Sequence, residues 1–408
     1  MSINPEKAKF YTNILLNSLL EKKMSFDRLF SLIVRKYGVN PREARQLYKL
    51  LYKILIYYHT IRFLASYHGF TRRVSGFVDY LYSRGFSIDT VLGEARDLSS
   101  SLSPILKLSI MYGYPSWFIR DLYGLIPPVE LEEMLRSLNE RKRWLRVNTW
   151  KATIEEALEC LEKSGVRIRV HSEFKDMVYV EDPFHKIGGN LCIKKGLVIP
   201  QDISSYIATR LLIFSQGDFV DACSAPGVKT IQVVSQSAPS RVLAIDISLD
   251  RLYTMRRLLE TYIGRTPRVL LVNADASIIQ PNFTKPIVLI DAPCSNSGAI
   301  YSDPAVKIHL SKKTLRRLSI VQKRILENTI RYSGLLYYMT CSIHPAEGEE
   351  VLDYIMEKYK DRVEARFVFE SHYVGRAYSK YKFSSIARRI HPQVVNGQGF
   401  FLAILEVG

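Results

Sequence analysis

No stretch of the 408 residues approaches the roughly 20 uncharged apolar residues of a membrane-spanning helix, and Met1 to Phe10 lacks the basic-then-apolar pattern of a signal peptide. We therefore expect no membrane partner and a cytoplasmic, monomeric protein. Cysteine is scarce: Cys160, Cys192, Cys223, Cys294 and Cys341 are an odd, widely spaced set with no CxxC pair. That spacing excludes the common zinc and redox-dithiol motifs, so no metal is expected and no disulfide either. Acidic residues are also short, 40 Asp plus Glu against 57 Lys plus Arg, leaving a formal charge of +17. Such a surplus favours a polyanionic partner, with nucleic acid first among them. Repeats and low-complexity tracts are missing, while 47% of the residues are apolar, enough for more than one buried core and for two or three domains.

From Phe10 to about Tyr67 the apolar residues recur at helical spacing: Leu15, Leu16, Leu19 and Leu20, then Leu29, Phe30, Ile33 and Val34, then Leu47, Leu50, Leu51 and Leu55. Asn40 can cap a helix that begins at Pro41. Helical material continues past Gly69 to about Tyr112, which predicts an all-helical amino-terminal domain over residues 1–113. Its basic residues, among them Arg35, Lys36, Arg42, Arg45, Arg72 and Arg73, suit either a solvated helix face or a phosphate-contacting one. Pro115, Pro127 and Pro128 mark a junction between Tyr114 and Leu131. Strand-like Trp144 to Asn148, a helix from Thr153 with a Thr153/Glu156 capping box, and short strands at Val166 to Val170 and Met177 to Val180 then predict a small α+β module within residues 114–205.

Beyond residue 206 strands alternate with helices: Asp218 to Ala222, Arg241 to Asp246, Arg268 to Asn273, Ile287 to Asp291 and Leu335 to Met339. Each is a short apolar run, so a parallel sheet covered on both faces is expected over residues 206–408, with ligands beyond the carboxyl ends of its strands. After the first strand comes Asp221-Ala-Cys-Ser-Ala-Pro-Gly-Val-Lys-Thr230, a loop of small residues opening a helix. It is neither a GxxxxGK[ST] phosphate loop nor a GxGxxG fingerprint, which points to a nucleoside-like cofactor without a diphosphate. Asp246 can hydrogen-bond ribose hydroxyls, and Asp275 can meet an adenine amine. Each acid alone reads equally as a helix cap, but on consecutive strand ends they favour S-adenosylmethionine. The fourth and fifth strands run into Cys294 and Cys341. Either thiol alone reads as a small buried hydrophobe; two at equivalent strand ends suggest chemistry, with Lys229 as a charge that favours thiolate.

The runs Asp-Ala-Cys-Ser-Ala-Pro-Gly-Val-Lys-Thr (221–230), Asp-Ala-Pro-Cys-Ser-Asn-Ser-Gly (291–298) and Thr-Cys-Ser-Ile-His-Pro-Ala-Glu-Gly-Glu (340–349) resemble the RNA cytosine-5 methyltransferases of the Fmu/Sun/NSUN kind. Arg146-Val-Asn-Thr149, Gly196-Leu-Val-Ile-Pro-Gln-Asp202, Arg389-Ile-His-Pro392 and Gly399-Phe-Phe401 look like further landmarks of that family, and the helical region before Tyr114 resembles the NusB-type RNA-binding extension of some members. The resemblance implies a Rossmann-like S-adenosylmethionine-dependent methyltransferase domain, an RRM-like module before it and an RNA substrate, ribosomal or transfer RNA, with the helical extension favouring ribosomal.

By that resemblance Cys341 is the nucleophile that attacks carbon 6 of cytosine, Cys294 the cysteine that helps release the methylated base, and Asp291 the acid at ring nitrogen 3. Lys229 belongs to the same catalytic group. Cys223, Ser224, Ala225, Pro226, Gly227, Val228 and Lys229 correspond to the cofactor loop, Asp246 to the ribose contact, Asp275 to the adenine side, and Asp291 also to the methionine end. Where the family's loop commonly reads Pro-Gly-Gly-Lys, Val228 replaces the second glycine; a positive φ there would strain a β-branched residue and weaken cofactor binding. Competing readings are a non-catalytic RNA-binding or ribosome-assembly factor that keeps the fold and, with the Pro-Cys residue as nucleophile, a DNA cytosine methyltransferase.

Overall fold

The computed structural model describes residues 3–212, 217–237, 239–264, 266, 268–366 and 371–408. The chain divides into two compact units: Met1–Glu140 with Ala299–Thr314, and Arg141–Gly298 with Leu315–Gly408.

The first unit is helical, as the periodicity predicts. Its helices start where the caps stand: Asn40 accepts from the Glu43 amide, and Pro41 is the first residue of the helix Pro41–Ile56. Gly38, at φ 60°, closes the helix Phe26–Tyr37. Leu15, Leu16, Leu19, Leu29, Phe30, Ile33, Leu47, Leu51 and Leu55 are buried, whereas Leu20 is exposed. The prolines between Tyr114 and Leu131 begin helices instead of merely interrupting one: Pro115 caps Ser116–Tyr123, and Pro128 opens Pro128–Asn139. Neither the cap nor the first residue of a helix needs its N–H for a bond within the helix, so the missing donor is harmless. The segment Ala299–Thr314 is built into this unit by side-chain hydrogen bonds. Asp303 accepts from the Phe26 amide at 2.9 Å, and Tyr52 donates to the Tyr301 carbonyl at 2.9 Å.

The second unit holds two sheets. The smaller is antiparallel, with strands β1 (Trp144–Val147), β2 (Ile168–Val170), β3 (Met177–Val180) and β4 (Val198–Pro200) in the order β2-β3-β1-β4. The helix Ile154–Lys163 begins in the Thr153/Glu156 capping box read from the sequence. Its Ala157 and Leu161 pack on Leu145, Val147, Val178 and Val198. Here the expectation of no disulfide is corrected: Cys160 and Cys192 are bonded, their Cα atoms 6.0 Å apart. The two cysteines lie 32 residues apart, so only the packing of Ile154–Lys163 against the short helix Leu191–Lys194 brings them together.

The larger sheet contains β5 (Phe219–Asp221), β6 (Val242–Asp246), β7 (Val269–Asn273), β8 (Ile287–Asp291), β9 (Leu335–Thr340), β10 (Val363–Arg366), β11 (Gly375–Arg376), β12 (Ala387–Ile390) and β13 (Phe400–Val407). Its order is β11-β12-β13-β9-β8-β5-β6-β7, with β10 also on β13. The five runs expected as strands are β5 to β9, and all of them pair in parallel. The expectation of a wholly parallel sheet is corrected, because β13 runs antiparallel to β9 and carries antiparallel β12 and β10. Only β12 and β13 are joined by a short return, which is too short for a parallel crossover of a dozen or more residues; β9 and β10 meet β13 from distant segments of the chain. Strand order reverses between β5 and β8, and that reversal opens a crevice at the carboxyl ends of these two strands. Among the described residues no helix is long and apolar enough to cross a membrane.

Candidate active site at the carboxyl edge of the parallel strands

The loop leaving β5 is held by the end of β6. The Ser224 amide donates to the Ile245 carbonyl at 2.8 Å, and the Ala225 amide donates to Asp246 Oδ2 at 3.1 Å. Asp246 Oδ1 accepts from the Ser248 amide at 2.9 Å, and Arg251 Nη1 lies 3.4 Å from Oδ2 while its Nη2 reaches the Ala225 carbonyl. A carboxylate has about four lone-pair positions, so these contacts orient Asp246 and leave acceptor capacity for sugar hydroxyls. The left-handed residue in the loop is Gly227, at φ 104°. Val228 is the first residue of the helix Val228–Gln236, where a branched side chain is tolerated; the strain considered for it falls on the glycine one position earlier.

Asn273 Nδ2 and the Ala274 amide both donate to the Asp246 carbonyl, at 3.0 and 3.2 Å, which brings the β7 end beside β6. Asp275 follows, its Oδ1 accepting from the Ser277 amide and hydroxyl at 2.8 and 2.7 Å. Burial, with Asp221, Asp291 and Asp246 nearby, pushes the Cys223 thiol well up, so this cysteine contributes backbone and shape, not a thiolate. The small-residue loop, the glycine and the acids at consecutive strand ends fit a nucleoside cofactor such as S-adenosylmethionine.

Beyond β8 and β9 lie the two thiols. Cys294 Sγ and Cys341 Sγ are 3.4 Å apart. Lys229 Nζ and Asp291 Oδ2 form an ion pair at 2.6 Å. Burial alone would lower the Lys229 ammonium, but Asp291, with smaller help from Cys341 and Asp221, holds it above its usual value. The Cys294 thiol is pushed well up by its hydrogen bond to Cys341, then by burial and the Glu347 charge. Cys294 is therefore kept protonated.

Backbone and side-chain bonds hold the two loops in register. The Gly298 amide donates to the Cys341 carbonyl at 2.9 Å, the Ile343 amide to Ser297 Oγ at 3.2 Å, and the Ser297 and Ser342 hydroxyls are 2.9 Å apart. Gly298 is required by close approach: a Cβ there would stand 2.2 Å from the Gly399 carbonyl oxygen. Glu347, buried and with its carboxyl pushed up by that burial, accepts from the Ser295 amide at 2.9 Å and from its hydroxyl at 2.5 Å. The structure thus brings Cys341, Cys294, Asp291 and Lys229 together, with the Cys223–Val228 loop and Asp246 on the neighbouring strand ends. Sequence reasoning missed Asn296, Ser295 and Glu347 as site residues. Their only signal is position, inside the two cysteine-bearing runs.

The family model described as 16S rRNA methyltransferase RsmB/F matches residues 210–406, and the ferredoxin-like domain of RsmF/B-like methyltransferases matches residues 114–186, together more than half of the chain. The chain belongs to the RsmB/F methyltransferase family. Ribosomal RNA small subunit methyltransferase B of Serratia proteamaculans is 28% identical over 308 residues, 72% of this chain and 66% of that protein. The 28S rRNA (cytosine(4447)-C(5))-methyltransferase of Homo sapiens is 31% identical over 332 residues, 76% of this chain and 40% of its own. The chain thus spans from two fifths to just under two thirds of the length of these relatives. Among solved structures, PH0851 shares the fold with a TM-score of 0.78 at 22% identity, covering 100% of this chain and 99% of its own. Strands β1 to β3 of the small sheet lie within the ferredoxin-like match and β4 beyond it, while β5 to β13 form the Rossmann-like methyltransferase fold.

Proposed function

We propose that this RsmB/F-family protein methylates carbon 5 of a cytosine in RNA, with ribosomal RNA favoured over transfer RNA and S-adenosylmethionine as donor. The reading is carried by the 3.4 Å separation of the Cys294 and Cys341 sulfurs beside the Lys229–Asp291 pair. Packing accounts for one thiol at a strand end; two set face to face, with a half-buried ammonium in reach, suit covalent attack and release.

The Cys223–Lys229 loop would hold the cofactor, with Asp246 at its ribose, Asp275 at the adenine side and Asp291 at the methionine end. S-adenosylmethionine supplies, when bound, an electrophilic methyl group on a sulfonium. Cys341 bonds to carbon 6 of the base and pushes electron density to carbon 5. Asp291, balanced by Lys229, keeps a proton at ring nitrogen 3 and so stabilises the charge that develops there. After methylation a base removes the proton from carbon 5, the bond from carbon 6 to Cys341 breaks, and Cys294, held protonated, assists release. Such attack needs both ring carbons exposed, so the cytosine must be unpaired or extruded. Phosphate contacts would come from the ferredoxin-like sheet and from exposed Arg316, Arg317 and Arg324 on the helix Lys312–Thr329, whose other face buries Leu315, Leu318, Ile325 and Leu326. These charges position RNA without reading its sequence.

The test is transfer of a labelled methyl group to ribosomal RNA, transfer RNA and DNA by wild type, Cys341→Ala and Cys294→Ala. The proposal expects product on RNA, neither product nor adduct with Cys341→Ala, and a denaturation-resistant protein–RNA adduct with Cys294→Ala. Full turnover by Cys341→Ala would overturn the division of labour. Absence of saturable cofactor binding would favour an assembly factor.

A further inference from the structure

Beside the two thiols stands a third polar group that the proposed reaction does not use. Asn296 has φ 59°, one of few non-glycine residues in the left-handed region among the described residues. Its carboxamide Oδ1 lies 2.9 Å from Cys341 Sγ and 3.6 Å from Cys294 Sγ. Left-handed backbone costs an L-residue about 1 kcal/mol or more, and asparagine bears it better than most. A glycine would remove that cost entirely, yet the position carries a side chain, and the side chain reaches the sulfur assigned as nucleophile.

We infer that Asn296 is a positioning residue for Cys341: its carboxamide oxygen accepts the thiol hydrogen, fixes the sulfur's direction and holds it as a thiol in the resting site. This deepens the proposed function and rests on Cys341 being the nucleophile. The other groups facing Cys341 are Cys294 across the gap, the Lys229 ammonium with Asp291 behind it, and Glu347 beyond Cys294. Arg389 donates to the carbonyl of neighbouring Ser342 at 3.0 Å. Lys229 favours the thiolate, whereas the Asn296 oxygen opposes it. The sulfur is thereby aimed but guarded until a substrate group displaces the amide.

The hydrogen bond can be read without RNA or cofactor, by alkylating the full chain with iodoacetamide between pH 6 and pH 10 and quantifying the Cys341 peptide by mass spectrometry. In that reaction the thiol proton passes to water, the sulfur's electron pair forms the new bond to carbon, and iodide leaves. Asn296→Gly retains the fold because glycine is unstrained at this φ. It should move the midpoint of the alkylation profile down by about half a pH unit, the size of one ordinary hydrogen bond. Asn296→Asp, which sets a negative charge against the sulfur, should move it up by about one unit. Asn296→Gly should also lower kcat for methylation while KM for RNA stays within about twofold of wild type, as loss of an orienting contact at the reacting atom does. Unchanged midpoints in both variants, or shifts opposite in sign to these, overturn the inference. Because alkylation needs no methyl donor, a protein that methylates nothing can still show the shifts, and a methyltransferase can lack them, so the two readings fail separately.

Discussion

Arg389 grips Glu349 through two parallel hydrogen bonds, Nε to Oε1 at 2.8 Å and Nη2 to Oε2 at 2.6 Å, with the two side chains 2% and 0% exposed. The third nitrogen, Nη1, donates to the carbonyl of Ser342, one residue after Cys341, and the guanidinium lies over the Tyr378 ring at 4.0 Å. A bidentate pair of this kind fixes geometry as well as charge. It anchors the fifth parallel strand's loop from β12, while Glu347 of the same loop holds Ser295.

Breaking one half of that pair strands the other in a dry interior. Arg389→Met is therefore expected to cost about 3 to 5 kcal/mol in denaturant unfolding. The double variant Arg389→Met with Glu349→Leu should recover part of that loss, because no charge remains uncompensated. Equal stability of the single and double variants would show that the pair's electrostatics carry nothing.

Asp221 gives a pH signature. Burial raises its carboxyl from 3.8 to about 7, with Asp291 adding to the rise and the Thr230 hydroxyl and Lys229 opposing it. The folded state therefore binds the proton more tightly than the unfolded chain between those two values. Its contribution to stability is fully present below 3.8 and is lost as pH climbs through about 7. Asp221→Asn keeps an acceptor for Thr230 and removes the titration. Between pH 5 and pH 8 wild type should lose stability relative to this variant, by at most about 1.4 kcal/mol per pH unit. Parallel stability curves from urea melts at four pH values would refute the assignment.

The parallel strands were legible because each is a short apolar run that ends in a polar residue, as at Asp246 and Asp291, and the helix at Pro41 because Asn40 and Pro41 are local chemistry. The cysteine pair was legible for the same reason, two runs ending at one sheet edge. What lay out of reach was non-local. The antiparallel partners of β13 are chosen by pairing across distant segments, and nothing in Phe400–Val407, an almost continuous apolar run, states a direction. The capture of Ala299–Thr314 by the helical unit depends on single side chains, Asp303 and Lys307, whose partners Phe26 and Ile56 lie over two hundred residues away. The left-handed turn at Asn296 likewise has no pattern that spacing can reveal.

The Cys160–Cys192 bond is a direct test of packing against composition. Closing a loop over 32 residues of separation should stabilise the small sheet by about 4 kcal/mol in the chain-entropy account. A peptide map made without reductant, after alkylation of free thiols, should contain the two peptides linked, and Cys160→Ala should lower the unfolding midpoint of β1 to β4 as followed by hydrogen exchange. Free thiol label on both residues in oxidised protein would return the sequence-based expectation of no disulfide.

Lys307 is fully buried in the helical unit, where its ammonium donates to the Ile56 carbonyl at 2.6 Å, the Tyr112 carbonyl at 2.5 Å and Asn139 Oδ1 at 2.7 Å. These acceptors belong to the last residues of the helices Pro41–Ile56, Pro104–Tyr112 and Pro128–Asn139, the ends at which helix dipoles gather partial negative charge. Burial pushes the ammonium down, while three acceptors and the Tyr114 ring at 3.8 Å hold the proton in place. Lys307→Met removes the common donor and leaves carbonyls at two helix ends without it, at an expected cost of about 3 kcal/mol or more. Because Lys307 lies in Ala299–Thr314, the loss should appear first as faster hydrogen exchange in that segment and in the three helix ends, with the exchange of β8 and β9 held near wild type. Uniform acceleration across both units would mean that the lysine supports the whole chain's stability, and unchanged exchange would mean that it pins nothing.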